Sequence, residues 1–246
     1  MNKIKDPRIV IKFLIFANTL LKEKSWTISQ YILESLIALV TKIASSLGPT
    51  FEEDKISQEN SDLLYSELTH IISSILLFHR HRINGRHHLI IKTFISLISC
   101  LAKRKSSKSK TNQENDSSLL IPWLSTPCSV KGASDYSRLL SNLCEPPVQA
   151  IREKGGANNL VSSSAQAKRA LAKHLMPLLL AYVYYGLHYT FVADIRDILS
   201  SGFYVLFDIM GADQLKTANA AMDGPSRVYF KALYDDYKKH GKWSDE

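Results

Sequence analysis

The chain has 246 residues, 45% of them apolar, and 31 basic against 23 acidic side chains give a net charge of +8. That composition excludes a wholly disordered protein, and the length suits one large domain or two small ones. Only 10 Gly and 8 Pro punctuate the chain, which argues against a turn-rich β-sandwich or barrel and for long helices.

The N-terminus resembles a signal peptide, with Lys3 and Lys5 ahead of Ile9-Val10-Ile11, but Lys12 interrupts the apolar run and no small-x-small site follows Leu21. Asp6-Pro7 reads instead as an N-cap and a first-position proline, which starts a helix over 7–24. A second helix is predicted from Thr27, where Thr27-Ile28-Ser29-Gln30 fits a capping box. Its apolar face is Ile28, Ile32, Leu36, Leu39, Val40, Ile43 and Leu47, and Gly48-Pro49 stops it. After a polar loop, a third helix over 62–83 presents Leu64, Leu68, Ile71, Ile75 and Phe78 and ends at Asn84-Gly85. A fourth over 88–103 presents Ile91, Phe94, Ile95, Ile98 and Leu101. Residues 105–118 carry no apolar side chain and read as a flexible polar linker or insertion.

Order is expected to return at Leu119-Leu120-Ile121-Pro122-Trp123-Leu124, followed by a helix over 134–144 that Glu145-Pro146-Pro147 breaks. Residues 153–164 read as another polar loop. A long helix over 165–189 contains Pro177, so a kink is expected near His174 to Met176. Shorter helices fit 192–200, 203–210 and 212–222, and the last, over 225–239, turns Phe230, Leu233, Tyr234 and Tyr237 inward. Only short runs such as Val161-Ser162-Ser163 suit a strand. The class is all-α: antiparallel helix pairs in a HEAT/armadillo-like solenoid or an irregular helical bundle, without self-similarity at a fixed period. N-terminal helices over 1–104 and C-terminal helices over 119–246 are expected to pack as one domain across the linker. No stretch reaches ~18 uninterrupted apolar residues, so no spanning helix and no membrane partner is expected.

The charge is local. Between His79 and Lys110 lie Arg80, Arg82, Arg86, Lys92, Lys103, Arg104, Lys105, Lys108 and Lys110 and no acidic residue, so the rest of the chain is near neutral. Two segments carry this excess. Arg80, Arg82, Arg86, His87 and His88 suit either cations at a helix C-terminus or bidentate contacts to phosphate or an acidic protein surface, and the two can coexist. Four histidines in this segment raise the question of a metal, but the arginines repel a cation and no carboxylate or thiol is near. Lys103, Arg104, Lys105, Lys108 and Lys110 fit a nuclear localisation cluster, a nonspecific RNA-binding tail or a solvated linker, and the serines among them allow phosphorylation to tune the charge.

Nothing points to catalysis. No phosphate loop, dinucleotide fingerprint, nucleophile elbow or zinc-protease motif is present, so no enzyme activity, cofactor or metal is expected. Asp235 and Asp236 are adjacent on a helix and point about 100° apart, which suits a solvated face better than a shared proton. Cys100, Cys128 and Cys144 form no close pair, which fits a reducing compartment and buried inert thiols.

The last stretch is the most specific. Ile195-Arg196-Asp197-Ile198-Leu199 and Gly202-Phe203-Tyr204-Val205-Leu206-Phe207-Asp208 are followed by Leu215 and Asn219-Ala220-Ala221-Met222-Asp223. It closes on Arg227-Val228-Tyr229-Phe230-Lys231-Ala232-Leu233-Tyr234-Asp235-Asp236-Tyr237-Lys238-Lys239-His240-Gly241-Lys242-Trp243. This resembles the C-terminal domain of the nucleolar pre-ribosomal-associated protein 2 family, also called unhealthy ribosome biogenesis protein 2. The Gly85-Arg86-His87-His88 segment and Pro127 through Pro146, with Tyr136, Leu139-Leu140 and Cys144, also fit, and the similarity covers roughly 25–243.

The resemblance implies a fungal-type nuclear and nucleolar factor in early large-subunit ribosome assembly and pre-rRNA processing. It implies a non-enzymatic scaffold among assembly factors that include a large helical-repeat partner and a helicase, with pre-rRNA as a further partner. It also implies a docking role for Phe230, Lys231, Tyr234, Tyr237, Lys238 and Trp243. The family's chains are far longer, so a C-terminal fragment, a split gene or a degenerate copy is expected here, with 103–118 as an insertion of its own. The other reading is a helical-repeat adaptor or transport-type interaction module with no link to RNA.

Overall fold

Side-chain caps set where the first helices begin. The structure, a computed structural model, describes residues 6–51, 56–104, 120–145 and 157–240, with the backbone alone over 157–164. Asp6 Oδ1 accepts the Arg8 amide at 2.8 Å and Pro7 opens α1 (Pro7–Glu23). α2 (Gln30–Ile43) is capped by Ser29, whose Oγ accepts the Ile32 amide at 3.2 Å; a 3-10 turn, Ser25–Thr27, precedes it in place of the predicted capping box. Its buried face is Leu33, Leu36, Ile37, Val40 and Ile43, whereas Ile32 and Leu47 are exposed. Ile28, Leu36, Val40 and Ile43 of the predicted face are buried as expected; of the adjacent apolar pair Ile32 and Leu33, packing chiefly against α4 buries Leu33.

α3 (Gln58–Phe78), capped by Ser57, is buried on nearly every side. It ends before the predicted boundary, which leaves Phe78 exposed, and the 3-10 turn Arg80–Ile83 tucks Ile83 inward instead. Gly85, at φ 78°, then reverses the chain into α4 (His87–Ser99), a left-handed conformation that glycine adopts without strain. Lys103–Arg104 forms β1, paired antiparallel with β2 (Tyr189–Thr190).

Residues 120–129 lack a helix but are pinned to the core. The buried Trp123 donates its Nε1–H to the Ile43 carbonyl at 2.8 Å, and the Cys128 amide donates to the Cys100 carbonyl at 3.0 Å. α5 (Val130–Cys144) follows. α6 (Ala157–His188) absorbs Val161-Ser162-Ser163 and much of the predicted polar loop, because alanines at 165, 167 and 170 favour helix propagation through the polar stretch. It passes Pro177 without a break in the helix. α7 (Ala193–Ile209) joins two predicted helices into one, and α8 (Ala212–Ala221) and α9 (Gly224–His240) complete the order.

Alternate helices stack in two rows. α1 packs on α3, α3 on α5 and α5 on α7; α2 packs on α4 and α4 on α6, with α8 and α9 against α6. This is the layout of an α-solenoid, in which each layer contacts its neighbours. Helices from both sides of 105–118 share the rows and one continuous apolar core, while the linker lies outside the described residues. The bulkiest core side chains are Trp123, Tyr65, Tyr136, Tyr182, Phe94 and Phe203. Their hydroxyls are satisfied: Tyr65 donates to the Leu97 carbonyl at 3.4 Å, Tyr136 to the Phe94 carbonyl at 3.1 Å, and Tyr182 pairs with Ser200 at 3.0 Å. Tyr182 stacks on Phe203 at 4.0 Å between ring centroids.

The α5–α7 packing depends on Gly202, where a Cβ would lie 2.6 Å from Ser137 Oγ and 3.2 Å from Ser137 Cα. Gly202→Val is expected to lower stability by about 2–3 kcal/mol in urea unfolding. Gly224→Ala, whose Cβ meets nothing within 4 Å, should change it by less than about 0.5 kcal/mol. Equal unfolding midpoints would contradict the α5–α7 packing.

Candidate interaction surfaces

The corner between α3 and α4 turns most of its arginines inward. Arg80 donates from Nη1 and Nη2 to the Leu143 carbonyl at 3.3 and 2.7 Å, and from Nη2 to the Asn142 carbonyl at 2.7 Å. These carbonyls belong to the last turn of α5, where a cation is favoured. Burial holds the Arg80 guanidinium down to about 10, so it stays charged at neutral pH. Its Nε is buried without a protein partner, and Arg80 lines a small cavity of about 60 Å³ with Asn84 and His87. Arg82 donates to the Ile28 carbonyl, and Arg86 Nε donates to the Glu34 carboxylate. Buried His79 meets the Leu21 carbonyl through Nε2 at 3.1 Å. His87 stacks on His174 at 5.1 Å. The structure therefore gathers Arg80, Arg82, Arg86 and His87 at one corner as clamps on neighbouring helices, and leaves His88 exposed.

Exposed cations lie along α4 and beyond it. Lys92 shares a shallow groove of about 430 Å³ with Lys42, Ser45, Ser46 and Ser96, between α2 and α4. Lys103 and Arg104 are exposed on β1. Lys105, Lys108 and Lys110 lie outside the described residues. Lys42 escapes a sequence reading because it stands far from the basic stretch, and only the α2–α4 pairing joins it to Lys92.

The C-terminal motif builds a second surface. Asp223 Oδ1 accepts the Ser226 amide at 3.0 Å at the start of α9, and Arg227 ties back to α8 through the Asn219 and Ala220 carbonyls at 3.0 and 3.2 Å. Phe230 and Leu233 enter the core, while Tyr234 and Tyr237 are half-buried around Phe207 rather than fully inward. The Tyr237 hydroxyl donates to Asp208 at 2.7 Å, and the Tyr204 hydroxyl donates to Asp236 at 2.6 Å. Burial and then Asp208 push Tyr237 up to about 12. Lys238 Nζ sits 4.7 Å over the Tyr234 ring, a cation–π interaction. A groove of about 530 Å³ opens between α8 and α9, with Leu215, Val228, Phe230 and Tyr234 as its apolar part and Lys216, Arg227 and Lys231 among its lining cations. Val228 is 72% exposed. Trp243 lies outside the described residues.

The thiols are unsuited to chemistry. Cys100, Cys128 and Cys144 are buried and unpaired, and burial raises each pKa, that of Cys144 to about 12. Among the described residues no group of three or more His, Cys, Asp or Glu is placed to hold a metal, and no helix is long and apolar enough to cross a membrane.

Two outcomes test the corner. Arg80→Ala leaves the α5 carbonyls without their buried donor and is expected to cost about 2–3 kcal/mol in thermal unfolding, whereas His88→Ala should be near neutral. His79 and His87 have pKa values lowered, first by burial, so the folded state prefers both neutral. The stability they contribute is whole above their unfolded value of about 6.5 and is lost as pH falls below it. Urea midpoints should drop between pH 7 and pH 5, and His79→Gln/His87→Gln should flatten that drop.

A sequence profile of the Urb2/Npa2 family matches residues 11–246. A protein of Schizosaccharomyces pombe (strain 972 / ATCC 24843), "Probable nucleolar pre-ribosomal-associated protein 2", is 20% identical over 213 residues, covering 87% of this chain. The chain spans 16% of that protein's own length. No solved structure matches. The matched span takes in the α3–α4 corner, the α2–α4 groove and the α8–α9 surface, and the chain belongs to the Urb2/Npa2 family.

Proposed function

We propose that this chain is a non-enzymatic helical scaffold of nucleolar ribosome biogenesis, acting in large-subunit assembly and pre-rRNA processing. Family membership and the name of the fission-yeast relative support the process and the nuclear, nucleolar location. The observation that carries the scaffold reading is the α8–α9 groove. It is apolar, open and lined in part by Lys216, Arg227 and Lys231, and it lies within the closing motif. Its size falls in the range of binding clefts, and its chemistry suits an apolar anchor with acidic neighbours on an assembly factor, a large helical-repeat protein included. Tyr237, Lys238 and Trp243 extend the docking motif from the same end of the chain.

Pre-rRNA binding is assigned to the exposed cations. Lys42, Lys92, Lys103 and Arg104 are free to meet phosphates, with Lys105, Lys108 and Lys110 following in sequence as the nuclear-localisation-like cluster. Arg80, Arg82, Arg86 and His87 hold the α3–α4 corner against neighbouring segments, and His88 adds an exposed basic edge there. Domain organisation follows the same reading: helices over 1–104 and 119–246 act as one body, with 105–118 as the intervening segment.

Affinity purification of the tagged chain should recover pre-ribosomal particles, and Val228→Asp/Lys231→Glu should lose them while the circular dichroism melt stays unchanged. Recovery of trafficking components instead would favour the adaptor reading. In filter binding to an rRNA fragment, Lys42→Ala/Lys92→Ala/Lys103→Ala/Arg104→Ala should weaken affinity. It should also flatten the salt dependence by about 0.7–0.9 in slope for each phosphate that is no longer neutralised. An unchanged slope would remove RNA from the account.

A further inference from the structure

The two rows of helices differ in charge. α2, α4 and α6 carry one acidic side chain between them, Glu34, and Arg86 pairs with it. Eight acidic side chains lie on α1, α3, α5 and α7. α6 itself has none, and it meets solvent along one stripe. Arg169, Lys173, Pro177, Tyr184 and His188, spaced four, four, seven and four residues apart, are all exposed. The stripe begins basic and ends aromatic.

At the aromatic end the rings adjoin one another. Tyr184, 50% exposed, lies 4.6 Å from His188 and 6.0 Å from Tyr189 between ring centroids, and half-buried Tyr185 backs Tyr189 at 5.2 Å. The β1–β2 register sets Arg104 opposite Tyr189 and Lys103 opposite Thr190. Directly opposed residues of an antiparallel pair share a face, so Arg104 stands on the Tyr189 side. Its charge opposes the rise that burial gives the Tyr189 pKa. Asp223 lies near His188 at the outer margin, with its carboxylate held by the Ser226 amide. Exposed rings in a row beside cations match the two halves of a nucleotide: bases stack on aromatic faces whatever their sequence, and cations follow the phosphates. An acidic peptide would use the cations and leave the rings idle. We propose that Tyr184, His188 and Tyr189 stack the bases of unpaired RNA, with Lys103 and Arg104 on the adjoining phosphates. Lys173, about 16 Å back along α6, continues the path of the backbone. This rests on the RNA reading above and adds to it the class of RNA, a single strand held by its bases as well as its charge.

The test uses the whole chain and two probes of equal charge, an oligouridylate of about twelve nucleotides and an abasic strand of the same length. Fluorescence anisotropy should show the oligouridylate binding at least about tenfold more tightly than the abasic strand. Tyr184→Ala/His188→Ala should remove that advantage and leave abasic binding and the salt slope unchanged, which also reports an intact fold. Tyr184→Phe keeps the ring and should keep the advantage. Arg104→Ala/Lys173→Ala should weaken both probes alike and reduce the salt slope by about 0.7 for each phosphate no longer neutralised. Tyr184→Trp should add a fluorescence signal that the oligouridylate quenches and the abasic strand does not. Equal affinity for the two probes overturns this inference alone and leaves an RNA contact through phosphates. Binding of neither probe removes the RNA reading and this inference with it. An oligoglutamate peptide bound more tightly than the oligouridylate assigns the patch to an acidic protein and overturns the proposal too.

Discussion

A helix inside a two-row stack must meet a neighbour on each side, so it needs apolar side chains over most of its circumference. That single requirement organises this molecule. α3 lies between α1 and α5 and is buried almost all round, and it hides Ser66, Thr69 and Ser74 as well as leucines and isoleucines. Each of those polar groups is answered locally or across the seam: Ser74 donates to Asn18 at 2.6 Å, Ser66 to Asp135 at 3.2 Å, and Thr69 to its own helix at 2.8 Å. Side-chain hydroxyls thereby fix the register between layers that apolar packing alone leaves free to slide. Among the described residues the groove between α8 and α9 leaves the same requirement open.

The basic stretch serves two ends that its composition does not separate. Its first part folds into the chain: Arg80 clamps α5, Arg82 reaches Ile28, two residues before α2, and Arg86 pairs with Glu34 on α2. Arginine suits this work because one planar group answers two carbonyls at once and keeps its charge when buried. Its later part, Lys92 to Arg104, stays in solvent, joined by Lys42 from another helix. The exposed cations thus form a surface assembled by the fold and not by one run of sequence.

Much of this was legible before folding. Asp6-Pro7 marks the start of α1 and Asn84-Gly85 the reversal into α4 because caps and positive φ are local chemistry. The all-α class and the inert thiols follow from the scarcity of breakers and the absence of paired cysteines. What failed was decided between segments. The buried face of α2 keeps Leu36, Val40 and Ile43 but takes Leu33 in place of its neighbour Ile32, since the two offer equal local alternatives. Ser201-Gly202 separates two predicted helices, yet α7 runs through it, and Gly202 lets α5 approach closely. The inward turn of Arg80 depends on carbonyls more than sixty residues away, which no charge count locates. The closing motif is legible as a resemblance, while the groove it forms needs Leu215 and Lys216 of α8.

The proposed docking runs through the α8–α9 groove and not through the arginine corner. Hydrogen exchange read by mass spectrometry, on the free chain and on the chain within purified pre-ribosomal particles, tests it most directly. New protection should appear in α8–α9, with residues 79–88 equally protected in both states. Protection gained at the corner while α8–α9 exchanges as in the free chain would contradict that docking.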